Sequence, residues 1–195
     1  MDEQVHAWLS AYRSGDVNAL GAMVEHYRRP LFGFILKMTE GRDDAEEIFH
    51  EAWFRAIRNL DRFREKNFLS WMFRITHNLV IDRARKAKPV EVAVNRDSGE
   101  VDNPVEAIVA DPAPGPDTLT EGRDLGTRIG EAVRRLPEEQ RAVFLMRTEA
   151  ELPFKEIAKI QGISINTALA RMQYALSKLR EDLKNEYAAL GRKEP

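Results

Sequence analysis

Acidic side chains crowd one short stretch of the chain, and carboxylates can bind metals or basic partners. They are Asp43, Asp44, Glu46, Glu47 and Glu51. Glu47 and Glu51 are four residues apart, so on a helix they share one face and could hold an ion of a metal-dependent nuclease. The histidines are scattered without ligand spacing, which makes this the weaker interpretation. An acidic helical face that binds a basic protein fits better, and we predict no catalytic residue, metal site or cofactor.

Aromatic and basic residues follow at helical spacing. Trp71, Arg74, Asn78 and Arg85 share one side of a predicted helix, whose basic residues also include Arg83 and Lys86. The preceding loop contributes Phe63, Arg64, Lys66, Asn67 and Phe68. Aromatic rings stack on unpaired bases for about 1–3 kcal/mol each, while arginine and lysine follow the phosphates. This mixture favours melted DNA. The alternative is that Trp71 and Phe68 are core residues beside a solvated charged face.

A helix-turn-helix is predicted near the carboxyl end. Its first helix runs from Pro153 to about Ile160 and its second from Ile165 to about Leu183, joined at Gly162, where the turn needs a positive φ. Small or apolar residues are expected at the crossing: Ile157, Ala158, Ile163, Ala168 and Met172. The outward residues would then be Asn166, Leu169, Ala170, Gln173 and Ser177. Such residues can read base edges in a major groove, although an ordinary helical hairpin is the alternative.

Other helices must position these residues. Asp16 is placed to cap a helix whose apolar residues begin at Ala19, and Pro30 is expected to interrupt or bend the chain between Leu31 and Met38. A second helix carries the acidic residues, and its apolar residues from Ala45 to Leu60 recur every three or four positions. A third runs from about Phe68 to Lys86. No strand periodicity is present, which predicts an all-α fold.

Charge and proline divide the chain in two. Residues 55–88 carry 10 Lys/Arg against 3 Asp/Glu, whereas residues 89–121 carry 1 against 8 and hold five of the nine prolines. Proline removes backbone donors, so we expect a flexible acidic linker there. Basic blocks that flank an acidic tether are typical of a protein that binds nucleic acid.

Composition excludes several classes. The 195 residues include no cysteine, which removes disulfides, thiolate zinc sites and cysteine nucleophiles. No apolar run approaches the roughly 18 residues of a membrane span, and the first residues do not form a signal peptide. We therefore expect a cytoplasmic protein without membrane insertion.

The motifs together resemble a known family. The runs from Asp44 to Trp53, from Leu60 to Phe63 and from Trp71 to Arg83 resemble region 2 of the extracytoplasmic-function (ECF) sigma factors of bacterial RNA polymerase. The run from Leu136 to Phe144 and the helix-turn-helix residues resemble their region 4. The implied fold has two small helical domains: region 2, a bundle of three or four helices, at 1–88, and region 4, four helices, at 122–187. The linker lies at 89–121 and a tail at 188–195.

The resemblance also implies roles for single residues. Docking on a coiled coil of the largest polymerase subunit falls to Asp44, Glu47, Ile48, His50 and Glu51. Recognition and melting of the minus-ten promoter element falls to Phe63, Arg64, Lys66, Asn67, Trp71, Arg74, Asn78 and Arg85. Minus-thirty-five recognition falls to Lys155, Asn166, Thr167, Leu169, Ala170, Arg171, Gln173 and Tyr174. Region 4 would also touch the polymerase flap, and an anti-sigma factor is a further candidate partner.

The sequence departs from the family pattern at a few positions. The family usually has Gln where His50 stands and Val-Lys-Ser where Ala168, Leu169 and Ala170 follow Thr167, and Tyr174 replaces a common Arg. We therefore expect weaker phosphate anchoring by the recognition helix or a different promoter hexamer, with the promoter-melting half carrying more of the specificity. A helix-turn-helix regulator that does not bind core polymerase is the alternative function.

Overall fold

The computed structural model describes residues 3–63, 67–87 and 119–190. Eight α-helices occupy these ranges, and no strand occurs in them, which confirms the all-α prediction. They are α1 (Glu3–Arg13), α2 (Val17–Met38), α3 (Arg42–Asn59), α4 (Phe68–Ala87), α5 (Leu119–Arg135), α6 (Glu138–Thr148), α7 (Phe154–Gln161) and α8 (Ile165–Leu190). A short 3₁₀ turn, Leu60–Arg62, follows α3. The predicted linker falls mostly outside the described residues.

The amino-terminal helices are determined by capping residues at their ends and by burial of their apolar side chains in one shared core. Asp16 caps α2 as predicted, since its carboxylate accepts a hydrogen bond from the Asn18 backbone N–H at 2.9 Å. The predicted interruption at Pro30 does not occur, because α2 runs through it to Met38. Proline costs a helix about 3 kcal/mol. Buried residues on both sides of Pro30, among them Tyr27 and Phe34, offset this cost by anchoring the helix to the core.

Helix α1 was not predicted, although its sequence contains the necessary pattern. Val5 and Leu9 lie four residues apart, and both are buried against α2. Trp8 contacts the edge of His26, with ring centroids 5.2 Å apart. The turn after α1 uses Gly15 at φ +99°, a conformation that suits glycine. The helix therefore extends the core of the first half towards the amino terminus.

The two halves of the described chain also touch. Helix α4 packs on α7, and α2 packs on α5 and α6. Lys37 of α2 forms an ion pair with Glu149, just beyond α6. The same carboxylate lies over Gly33, where an added Cβ would stand 3.7 Å from its Oε2 atom. The buried side chains of both halves consequently form one continuous cluster.

Candidate functional site

Helix α3 separates an apolar side from an acidic side. Its apolar residues are buried: Ala45, Ile48, Phe49, Ala52, Trp53 and Ala56. Glu47 and His50 are exposed, and Asp44 and Glu51 are half-buried. These four residues form what we call the acidic face. Ile48, grouped with them from the sequence, is only 4% exposed and lies beneath that face.

Arg83 of α4 reaches across to this acidic face. Its guanidinium donates to Glu47 at 2.7 and 3.3 Å and also to Asp44. These two carboxylates raise the pKa of Arg83 above its ordinary value, and the hydrogen bond to Glu47 is the largest single cause. The sequence had placed Arg83 among the basic residues of a DNA-binding helix. In the structure its guanidinium is instead bonded to two carboxylates of α3.

A groove of about 600 Å³ lies between α3 and α4 beside the acidic face. Its lining residues are Glu47, Ile48, His50, Glu51, Phe54, Arg55, Leu79, Asp82, Arg83 and Lys86. Phe54 is 56% exposed although it is a large apolar residue, and the Arg58 guanidinium lies 5.5 Å from its ring centroid. Sequence reasoning missed Phe54. It stands three and four residues after Glu51 and His50, so helical spacing could have assigned it to this surface.

The carboxylates do not assemble into a metal site. Across residues 3–63, 67–87 and 119–190, no group of three His, Asp or Glu side chains could hold a metal ion. Glu51 is instead bonded to Arg55, whose Nε donates to it at 2.7 Å, and Arg42 bonds to Glu46 at 2.9 Å. The contacts that these two carboxylates make are therefore ion pairs along α3.

Three aromatic rings form the start of the predicted minus-ten surface. Phe63 and Phe68 are buried, and Trp71 is half-buried against both, at centroid distances of 5.0 and 5.5 Å. Phe63 therefore supports Trp71 from below. Asn67 is exposed and also caps α4, because its Oδ1 accepts from the Ser70 backbone N–H at 3.0 Å. Arg64 and Lys66 lie outside the described residues.

The rest of this surface follows α4. Arg74 is half-buried, whereas Asn78 and Arg85 are exposed. An indole ring, a guanidinium and an amide thus succeed each other along one side of the helix. This arrangement can stack a base, pair with a phosphate and bond to a base edge.

The helix-turn-helix has the predicted geometry. Gly162 adopts φ +68° between α7 and α8, and Ala158 and Ala168 are buried where the two helices cross. Ser164 caps α8, because its Oγ accepts from the Thr167 backbone N–H at 3.0 Å. The Thr167 hydroxyl lies 2.8 Å from the same Oγ and so takes part in the cap.

The predicted minus-thirty-five residues differ in exposure. Lys155, Asn166, Thr167, Gln173 and Tyr174 are exposed, and Leu169, Ala170 and Arg171 are half-buried. Arg171 donates to Gln161 Oε1 at 2.8 Å and forms an ion pair with Glu139. Its guanidinium therefore ties α8 to α7 and α6.

One histidine lies where the two halves meet. His77 of α4 is 9% exposed, and burial, the largest cause, lowers its pKa from 6.5. A hydrogen bond with Asn78 and the charge of Glu139 oppose the shift, while Arg171 adds to it. The imidazole is therefore held in its neutral form.

None of the described helices is long and apolar enough to cross a membrane.

Comparison with known families matches both halves. The model for Sigma-70 region 2 matches residues 23–90, and that for Sigma-70 region 4 matches residues 127–179. The ECF RNA polymerase sigma factor SigW of Bacillus subtilis is 29% identical over 191 residues, which cover 95% of this chain and 100% of SigW. The RNA polymerase sigma-H factor of Pseudomonas aeruginosa is 23% identical, over 87% of this chain and 89% of the relative.

Solved structures share the fold. CnrH, in complex with the cytosolic domain of CnrY, matches this structure with a TM-score of 0.66 at 18% sequence identity. The match covers 93% of this chain and 98% of the CnrH chain. The sigma factor RpoE of Bartonella quintana, in complex with the anti-sigma factor NepR, has a TM-score of 0.62 at 22% identity and covers 86% and 98%. This chain therefore has the same arrangement of helices as these two proteins.

Proposed function

Because this chain belongs to the ECF subfamily of sigma-70 factors, with region 2 and region 4 in that order, we propose that it directs bacterial core RNA polymerase to specific promoters. The observation that carries the proposal is the pair of distinct surfaces in region 2, the acidic face of α3 and the aromatic and basic side of α4. One suits a protein and the other suits DNA, as the function requires.

The acidic face is proposed to bind core polymerase. Asp44, Glu47, His50 and Glu51 supply its polar contacts, and Ile48 supports them from below. A helical coiled coil with basic side chains would complement this face, because two helices meet along a narrow strip and exposed charges set their register. The region 4 helices are proposed to contact the polymerase flap.

The side of α4 is proposed to open the minus-ten element. Trp71 would stack on an extruded base, Asn78 would bond to it, and Arg74 and Arg85 would hold the phosphates. Phe63 acts through its contact with Trp71, while Arg64, Lys66 and Asn67 approach the DNA from the loop. Capturing an unpaired base offsets an unpairing cost of a few kcal/mol.

Helix α8 is proposed to read the minus-thirty-five element. Its exposed residues Asn166 and Gln173 would enter the major groove, with Leu169 and Ala170 against thymine methyl groups, and exposed Tyr174 would lie at the edge of the groove beside the phosphates. Lys155 of α7 and Thr167 and Arg171 of α8 are proposed to support this contact from beside the groove. The proposed domains are 1–88 and 122–187, with 89–121 as the tether and 188–195 as a tail.

Control of this activity is proposed to come from another protein. Two structural neighbours are bound to CnrY and to the anti-sigma factor NepR. An anti-sigma factor that covers the polymerase-binding surface would keep this chain inactive. We propose that the chain performs no catalysis of its own and acts in the cytoplasm, where core polymerase and the chromosome are found.

Reconstituted transcription tests the proposal. Core polymerase with the purified full-length chain should initiate from specific sites in a genomic promoter library on which core polymerase alone is silent. A chain that binds duplex sites tightly but neither copurifies with core polymerase nor initiates would instead be a helix-turn-helix regulator.

A further inference from the structure

Two carboxylates of the acidic face carry like charges at neighbouring positions. Asp44 and Glu47 are three residues apart on α3, so their side chains are neighbours on the helix surface. Like charges at this spacing repel, and each side chain would spend much of its time turned away from the other. A partner that needs both would have to bring them together. This ordering would lower its affinity.

Arg83 removes that conflict from within the chain. One guanidinium nitrogen, Nη2, bonds to Glu47 Oε2 at 2.7 Å and also to Asp44, while Nη1 bonds to Glu47 Oε1 at 3.3 Å. The planar guanidinium presents its donors in a rigid fork, so it fixes both the distance and the orientation of the carboxylates. The three side chains remain 42–65% exposed, so the carboxylates stay accessible to a partner.

We propose that Arg83 is a positioning residue for polymerase binding: it holds Asp44 and Glu47 at a fixed spacing for basic side chains of the partner. This inference rests on the proposed function, because it assumes that the acidic face binds core polymerase. Arg83 does not serve DNA directly. It is five residues beyond Asn78, which turns it about 140° away from the aromatic and basic side of α4.

Arg83 acts on binding and much less on folding. Exposed ion pairs contribute little to folding stability, since water solvates the charges and ordering long side chains costs entropy. The same pair can matter more for an interface, because side chains that are already ordered lose less freedom when the partner arrives. A stability measurement and an affinity measurement should therefore separate the two roles.

The first test compares Arg83→Gln with a matched control, Arg42→Gln, in the full-length chain. Arg42 also pairs with a carboxylate, Glu46, at 2.9 Å on the surface of α3, but it contacts neither Asp44 nor Glu47. Arg83→Gln should weaken binding to core polymerase about fivefold, and Arg42→Gln should change it less than about twofold. Arg83→Lys should fall between, since an ammonium ion lacks the planar fork. Thermal unfolding by circular dichroism should be nearly unchanged in all three.

A double-mutant cycle asks whether Arg83 acts through the two carboxylates. In an Asp44→Asn/Glu47→Gln background, adding Arg83→Gln should cause no further loss of polymerase affinity. An equal loss in both backgrounds would overturn the inference. The inference would also be overturned if the Arg83→Gln variant bound core polymerase as tightly as the wild type does. In that case the wild-type chain would still bind core polymerase, so the proposed function would stand. A wild-type chain that does not bind core polymerase would overturn both.

Discussion

Helices α4 and α8, the two predicted DNA-binding helices, differ sharply in chemistry. Helix α4 offers a half-buried indole at Trp71 and exposed polar or basic side chains at Asn78 and Arg85. The first two turns of α8 contain a single cation, Arg171, and it is bonded to Gln161 and Glu139. Nearby charge follows the same trend, since residues 55–88 carry 10 Lys/Arg against 3 Asp/Glu and residues 122–195 carry 14 against 11.

The contrast indicates a division of labour. Attraction for phosphates supplies much of the affinity of a DNA-binding protein, whereas base contacts supply sequence information. We expect region 2 to provide most of the affinity and the energy of strand opening. We expect region 4 to set the position of the complex on the promoter through neutral contacts.

The largest effect should come from Trp71. Trp71→Ala removes the stacking surface and should reduce open complexes about 30-fold, equivalent to about 2 kcal/mol of stacking. Permanganate footprinting of the holoenzyme on its promoter measures the opening. Trp71→Phe keeps an aromatic ring and should retain most of the activity. Equal loss in both variants, with a lower unfolding temperature, would instead assign Trp71 to the core.

A smaller loss is expected at the acidic face. Glu47→Lys reverses an exposed charge and also places a second cation beside Arg83, so it should weaken binding to core polymerase about tenfold. Glu40→Lys reverses an exposed charge at a residue outside α3 and serves as the control. Fluorescence anisotropy with labelled chain gives the affinity. Unchanged binding by Glu47→Lys would move the docking surface elsewhere.

Tyr174→Arg adds a cation to the recognition helix of region 4 and so makes it more like the basic helix α4 of region 2. Tyr174 is 55% exposed on α8, so an arginine there can reach solvent or a phosphate. Promoter binding by the holoenzyme should tighten about threefold, and its salt dependence should steepen by about 0.9 in log–log slope, as expected for one added phosphate contact. Titrations at several salt concentrations measure both. A changed affinity with an unchanged slope would place Tyr174 away from the phosphates.

The contact between the two halves should give the smallest effect, through pH. Burial lowers the pKa of His77, so the unfolded chain binds a proton more readily than the folded chain below pH 6.5. Stability should therefore be insensitive to this group above that pH and decline as the pH falls towards the pKa of the folded state. His77→Gln should reduce the loss of unfolding temperature between pH 7.5 and 5.5. The exposed His6→Gln should leave it unchanged.

The sequence predicted local structure well where a single residue determines it. Asp16 and Gly162 act through their own side-chain oxygen and backbone freedom, and both were identified correctly. The interruption predicted at Pro30 was wrong, because its outcome depends on Tyr27, Phe34 and their distant core neighbours. Local signals predict helix ends, but tertiary packing decides whether a helix tolerates an unfavourable residue.

For the site residues too, the sequence predicted what local spacing determines and missed what contacts between distant residues determine. Helical spacing placed Glu47 and Asn78 on exposed surfaces, as the structure has them, whereas His50, also exposed, was assigned to the acidic face only through the family resemblance. Spacing could not reveal that Arg83 faces α3, because that contact joins residues 36 and 39 positions apart. Phe63 was expected at the DNA surface, yet it is buried under Trp71. Aromatic residues suit both a core and a stacking surface, so their type alone does not separate the two.

The bonds of Arg171 to α6 and α7 carry an evolutionary consequence. Together with the buried residues Ala168, Met172 and Ala175, they hold the recognition helix in place, and they do so through Glu139 and Gln161, two side chains that need not meet any base. We expect replacement of either one to loosen this end of the helix and shift its fit in the groove. Promoter preference can therefore diverge between descendants of this gene while every base-contacting residue is inherited unchanged.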